Sequence, residues 1–423
     1  MSDSLHVLMG DAVAGTLTRS GDGRLRFEYD DEYRRQPNAT PLSLSMPVQL
    51  ASHADHVVTP WLWGLLPDND AVLRRWARHF HTSSASAFSL LATPVGEDCA
   101  GAVRFLAPED SERAQRRTGA IEWLSENDVA MRLRELREDS ASWLGRAFTG
   151  QFSLAGAQAK TALHNRDGRW GQPSGATPTT HILKPAVAGL DDHDLNEHLC
   201  LDAARRAGLI VARTRIARFE EETAVVVTRY DRSFEDQAVL RVHQEDVCQA
   251  LSIPPTRKYQ NEGGPTAADV ATLLRRSMLP AIATQAVERF ADALIWNWLI
   301  GGTDAHAKNY SLLLAGRTAR LAPLYDIASA LPYGTYERKL RLAMKIGGSY
   351  DVYPRRNTWP AAARELRLDP GALVDRVREL AERAPDAFAD AAKSFEVLAL
   401  ERELPATLSA LIADRADRCA KLL

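Results

Sequence analysis

The chain is 423 residues long, 45% hydrophobic and 25% charged, with a formal net charge of −3. That composition belongs to an ordinary globular protein and excludes a mainly disordered or collagen-like chain, while the length predicts two or three domains or one large two-lobed body. The near-neutral balance supplies no overall basic field for nucleic acid.

Residues 5–30 alternate apolar and polar side chains in short strands, with a turn at Gly21-Asp22-Gly23. Leu42-Ser43-Leu44-Ser45-Met46 also alternates and is expected to be extended. Trp61 and Trp63 are expected on a packed turn, followed by helices over 70–80 and 86–91. A small α+β module thus closes near Phe105, and the charged stretch 107–119 is expected to be a linker. Ser125-Glu126-Asn127-Asp128 has the form of a helix-start box, with Val129, Leu133 and Leu136 on one face. Residues 152–185 turn to strands, with turn signals at Asp167-Gly168 and Pro173-Ser174-Gly175. A helix over 194–208 is expected to end at Gly208, and a hairpin follows from 216–219 and 224–229. Beyond Val247 the pattern is mostly helical, interrupted by a strand-rich patch over 309–345.

Cys99, Cys200, Cys248 and Cys419 are scattered without metal-ligand spacing, which favours a reducing compartment over a disulfide framework. The N-terminal residues show no signal-peptide pattern, and the apolar run 293–300 is too short to span a membrane. A cytoplasmic location without membrane contact is expected. The pairs His193/His198 and His53/His56 lack the arrangement of a zinc site.

The sharpest feature is Gly301-Gly302-Thr303-Asp304-Ala305-His306-Ala307-Lys308-Asn309, a polar loop between an apolar helix and the strand-like Tyr310-Ser311-Leu312-Leu313-Leu314. Farther on, Pro323-Leu324-Tyr325-Asp326-Ile327 sets a second aspartate at the end of a short apolar strand. Phosphoryl transfer needs these groups. One carboxylate accepts or orients the nucleophile's proton, and an Asn oxygen with a second carboxylate holds magnesium across the phosphates. The Asp-x-x-x-x-Asn spacing equals that of a protein-kinase catalytic loop. Asp304 is therefore the candidate catalytic residue, Asn309 and Asp326 the candidate metal ligands, and Lys308 a candidate for neutralising developing charge.

Only eight of the 52 basic residues are lysine, and none falls within the first 159 residues. In such a chain a lysine marks a place that needs a compact ammonium. Lys160 closes the small-residue loop Ala155-Gly156-Ala157-Gln158-Ala159, whose backbone N–H groups can approach phosphates. Lys184 ends the strand-like His181-Ile182-Leu183 and is suited to the α/β-phosphates. Glu197, on the following helix, is either its partner or a solvated residue.

Four segments together resemble the HipA family of serine/threonine kinase toxins from bacterial type II toxin–antitoxin systems. They are Phe152-Ser153-Leu154-Ala155-Gly156-Ala157-Gln158, the run Gly175 to Lys184, the run Val242 to Ala250, and Gly302 to Asn309. The resemblance runs in order over nearly the whole chain. It implies a two-lobed, protein-kinase-like α+β fold, with an N-terminal subdomain over 1–106, a strand-rich nucleotide-binding lobe over 107–246 and a helical catalytic lobe over 247–423. It implies ATP and Mg2+ as cofactors. Ala155 to Lys160 would be the phosphate loop and Lys184 the nucleotide-binding lysine, while Glu245, Asp246 and Val247 would form the hinge to adenine. His306, Ala307, Lys308 and Asn309 would line phosphates and metal, with Tyr325 beside the metal-binding Asp326. Ser153 matches the serine that family members autophosphorylate, which ejects the loop. Family loops often carry Glu where Ala159 stands, so any salt bridge made by that Glu is absent here.

The resemblance also implies a HipB-type helix-turn-helix antitoxin as partner, DNA contact mainly through that antitoxin, and an aminoacyl-tRNA synthetase as substrate. Two other classes compete: a catalytically silent corepressor that stabilises a DNA-bound antitoxin, and a small-molecule phosphotransferase on a similar frame. The intact set Lys184, Asp304, Asn309 and Asp326 disfavours the first.

Overall fold

The computed structural model describes residues 3–109, 119–145, 147, 150–235, 238–334, 337–353 and 357–421, so most of the expected linker 107–119 lies outside the described residues. The first module is a five-stranded antiparallel sheet in the order Ser52–Ala54, Leu25–Tyr29, Ala12–Arg19, Ser4–Met9, Val103–Leu106. Leu25, Phe27 and Tyr29 point inward while Arg26 and Glu28 face solvent, the period-two pattern of a half-buried strand. Helices Asp55–Gly64, Asp70–His79 and Ala87–Leu91 close the module. Trp61 and Trp63 therefore stand on a helix rather than on a turn. The segment 42–46 is not a strand either. Ser43 Oγ and Ser45 Oγ bond each other and the Gln249 carbonyl, so side-chain hydroxyls take the place of a ladder.

A second, six-stranded antiparallel sheet runs in the order Thr214–Phe219, Glu222–Thr228, His181–Lys184, Thr161–Arg166, Arg169–Ser174, Ala120–Trp123. Helix Glu126–Glu138 starts in a capping box at Ser125 and Asp128 and lays Val129, Ala130 and Leu133 on this sheet. Helix His193–Arg206 packs against the sheet's first two strands, buried along nearly its whole length.

The remaining body is helical, built around Pro280–Ile300, Pro370–Ala392 and Leu404–Ala420. Trp296 stacks on Phe388 and Trp298 meets Trp359 edge-on, so both tryptophans are core. Each such buried side chain stabilises the fold by roughly 2–3 kcal/mol before entropy is counted. Strand His243–Asp246 pairs with Ser311–Ala315 of this body. The last four residues of the stretch 107–246 thus hydrogen-bond into the helical body. Among the described residues no helix is long and apolar enough to cross a membrane.

The N-terminal module is fixed to the other two bodies by polar contacts. Asp98 accepts from Arg229, Arg232, Arg241 and Thr179, and Asp231 accepts from Arg229 and the Gly101 N–H. All of these side chains are buried. Leu44 N donates to Glu245, and Gln249 Nε2 donates to the Trp61 carbonyl.

Candidate active site

The bodies meet around a cleft of about 740 Å3. Lys184, at the end of its strand, donates from Nζ to Glu197 Oε1 at 2.8 Å and to Asp326 Oδ1 at 2.7 Å. Burial opposes the Lys184 ammonium, but the two carboxylates outweigh it and raise its pKa. Burial likewise opposes ionisation of Asp326, and Lys184 with Lys160 holds its carboxyl well below the usual range. Glu197 is the partner of Lys184 that the sequence left open. Among the described residues its Oε2 has no hydrogen-bond partner. Asp326 is not at a strand end: it follows an isolated bridge between Val211 and Leu324 and sits at φ +58°, a left-handed conformation that Asp tolerates better than most residues.

The loop 301–309 is held from several sides. Gly301, at φ +66°, ends helix Pro280–Ile300. A side chain at Gly302 would run into Asn297 Oδ1 at 2.5 Å. Arg415, fully buried, donates to the carbonyls of Trp298 and Leu299 and so caps the helix that delivers the loop. Asn309 Nδ2 donates to the Asp304 carbonyl at 2.9 Å, which commits its nitrogen and leaves its oxygen available. Tyr325 donates to the Lys308 carbonyl at 2.7 Å. Tyr259 donates to Asp304 Oδ1 at 2.6 Å and packs edge-on against His306. Burial lowers the His306 pKa, which favours the neutral ring.

Of the expected residues, Ala155, Gly156, Ala157, Gln158, Lys160, Lys184, Asp246, Asp304, His306, Lys308, Asn309, Tyr325 and Asp326 line this one cleft. Lys160 Nζ donates to the Ala155 carbonyl at 2.6 Å and lies over the Trp143 ring, and burial pushes its ammonium down to about 8. Gly156, at φ +102°, admits this lysine, since a Cβ there would stand 2.6 Å from Nζ.

Other expected residues lie elsewhere. Ala159 packs against the N-terminal core, and Ala307 is buried within the loop 301–309 itself. Glu245 and Val247 do not line the cleft: the Glu245 carboxylate turns to Leu44 N, and the Val247 N–H is spent on the Tyr310 carbonyl. Residues 227–231 line it instead, and among the described residues the Tyr230 N–H carries no protein hydrogen bond. Ser153 is wholly buried outside the cleft, its Oγ donating to the Leu65 carbonyl at 2.8 Å. Asp68, Tyr259 and residues 227–231 were not singled out in the sequence.

Residues 5–106 match the HipA N-terminal domain, and residues 152–388 match the HipA-like C-terminal domain. The chain belongs to the HipA family, that of the HipA-like serine/threonine kinase toxins. It is 34% identical over 389 residues to Y4mE of Sinorhizobium fredii, a protein named as a kinase, covering 91% of each chain. It is 28% identical over 407 residues to the serine/threonine-protein kinase toxin HipA of Shewanella oneidensis, covering 92% of this chain and 89% of the relative. The solved structure of Shewanella oneidensis HipA with HipB and operator DNA shares the fold, with a TM-score of 0.81 at 24% identity over 98% of this chain and 97% of that one.

Proposed function

We propose that the cleft binds Mg-ATP and transfers the γ-phosphoryl group to a serine or threonine hydroxyl of a protein. The observation that carries this reading is the ion cluster in which Lys184 of the strand-rich lobe meets Asp326 of the helical lobe at 2.7 Å, in the same cleft as Asp304. Asp304 accepts the proton of the attacking hydroxyl, with its second oxygen held by Tyr259. Lys184 grips the α/β-phosphates, and Lys160 with the N–H groups of 155–160 covers them. Lys308 offsets charge that builds on the transferred group. The backbone at residues 228–230, rather than Glu245 and Val247, meets the adenine edge.

The donor set of Asn309 and Asp326 is all oxygen, and it fits a hard cation such as Mg2+. When bound, that ion would neutralise phosphate charge. We assign 1–106, 107–246 and 247–423 as module, nucleotide lobe and catalytic lobe, with strand His243–Asp246 paired to the latter. We further propose a HipB-type antitoxin as partner, DNA contact mainly through it, and an aminoacyl-tRNA synthetase as substrate.

Buried Ser153 must leave its pocket before it can accept phosphate. Once there, the added charge of about −1.5 to −2 repels the phosphates of ATP and holds the loop out. Intact-mass analysis with Mg-ATP tests the reading. One added phosphate on the wild type, mapped to Ser153 and missing from Asp304→Asn, supports it. No phosphate on a wild type that starts unmodified, and none on any added protein, favours the silent corepressor.

A further inference from the structure

Asp68 belongs to the N-terminal module, yet it reaches into the cleft. Its Oδ1 accepts from Lys308 Nζ at 2.6 Å and its Oδ2 from Lys258 Nζ at 3.0 Å. The side chains of Asp68, Lys258 and Lys308 are 11%, 15% and 3% exposed, so this is a desolvated pair of bridges and not a surface contact. Burial opposes the charge on Asp68, and Lys308 with Lys258 outweighs it, holding the carboxyl ionised.

The main chain around Asp68 reaches the phosphate loop as well. Its N–H donates to the Gly156 carbonyl at 3.0 Å, and Asn69 Nδ2 donates to the Ala157 carbonyl at 3.4 Å. On the opposite side, the Lys258 carbonyl accepts from the Ala307 N–H, and the next residue, Tyr259, holds Asp304. Module, phosphate loop and catalytic loop therefore meet at Asp68 and its neighbour Asn69, the phosphate loop through the Asp68 N–H and the Asn69 side chain and the catalytic loop through the Asp68 carboxylate.

We infer that Asp68 is a positioning residue for phosphoryl transfer: its carboxylate, bridged to Lys258, fixes the ammonium of Lys308 at the phosphate end of the cleft. The inference rests on the kinase reading above. An ammonium has three N–H donors, and Asp68 takes one from Lys308, leaving the others for phosphoryl oxygens. Without the carboxylate, Lys258 and Lys308 would be two buried like charges pushed apart, and Lys308 would lose its aim. A displacement of about 1 Å at such a group can cost ~100-fold in rate. The N-terminal module thereby becomes part of the active site, although it supplies no group that touches the reacting atoms.

Asp68→Asn keeps the side-chain shape and the main-chain bond to Gly156 but removes the charge. The measurement is phosphate transfer from Mg-ATP to casein or to the chain itself, as rate against ATP concentration, beside the thermal midpoint. The expected result is a saturating rate of the folded fraction lowered about 10–100-fold, with half-saturating ATP changed less than about three-fold, alongside a lowered Tm because two buried ammonium groups lose their counter-charge. A purely structural bridge would lower Tm and leave the saturating rate of the folded fraction unchanged; that result, or a faster rate, overturns the inference. Should Asp68→Asn fail to fold, Lys258→Met removes the outer bridge and is expected to slow the saturating rate several-fold; an unchanged rate overturns the inference equally. A wild type that transfers no phosphate removes the kinase reading itself, whereas an active wild type with an indifferent Asp68→Asn removes only the role of Asp68.

Discussion

The ion network around Asp98 and the ion cluster in the cleft are built from the same kinds of residue, but they differ in what is left unsatisfied. At Asp98, three arginines, Thr179 and Asp231 satisfy one another, with every side chain 6% exposed or less. In the cleft, Glu197 Oε2 has no partner among the described residues, the Asp326 side chain is 36% exposed, and Lys160 sits near Lys184 with its ammonium weakened. A closed network fixes how bodies dock. An open one is a place where a charged ligand completes the set. Burial alone does not distinguish them, because Lys184 is as deeply buried as Arg241.

Substitutions can break that contrast. Asp304→Asn is expected to lower phosphoryl transfer by about 10²–10⁴-fold with Tm unchanged, since among the described residues Asp304 forms no ion pair and accepts at its carboxylate from Tyr259. Asp98→Asn is expected to do the reverse. It leaves buried guanidinium groups short of a counter-charge and costs about 3–5 kcal/mol, read as a fall in Tm with whatever folds retaining its turnover per molecule. If Asp98→Asn changed catalysis but not stability, the division between the clusters would be wrong.

Two smaller effects sharpen it. Burial pushes the Glu245 carboxyl up to about 8, against an unfolded value near 4.3. Between those values the folded chain keeps a proton that the unfolded chain has lost, so stability falls as pH rises. Glu245→Gln removes this slope, which amounts to roughly 2 kcal/mol between pH 6 and pH 8; denaturant midpoints measured across that range check it. Lys160 runs the other way. Its folded pKa of about 8 lies below the unfolded value of about 10.4, so stability rises with pH between them. Nucleotide phosphates favour the ammonium, and binding should therefore weaken as pH rises through 8, with Lys160→Met flattening the profile.

What the sequence made legible was local. Asp304, Lys308 and Asn309 share one loop, and Lys184 and Asp326 end short apolar runs, so residue type and spacing were enough to propose them. Asp68 meets Lys308 across 240 residues of chain, and Tyr259 meets Asp304 across 45, and no periodicity reports such pairings. Glu245 illustrates a second limit. The family resemblance implied backbone contacts from its segment, and nothing in that segment's own sequence showed that the Glu245 carboxylate would be taken up by the Leu44 N–H, 201 residues away in the chain. In the segment 42–46 the alternation was real, yet hydroxyl bonds from Ser43 and Ser45 replaced a strand ladder.

The most direct measurement is calorimetric binding of a non-hydrolysable ATP analogue, with and without Mg2+, to the wild type and to Asp326→Asn. The substitution leaves buried Lys184 paired with Glu197, so the chain should stay folded. Magnesium-dependent binding to the wild type, lost or much weakened in Asp326→Asn, is the predicted result. Equal binding by both proteins, or none by either, would contradict the assignment of the open cluster as a nucleotide site.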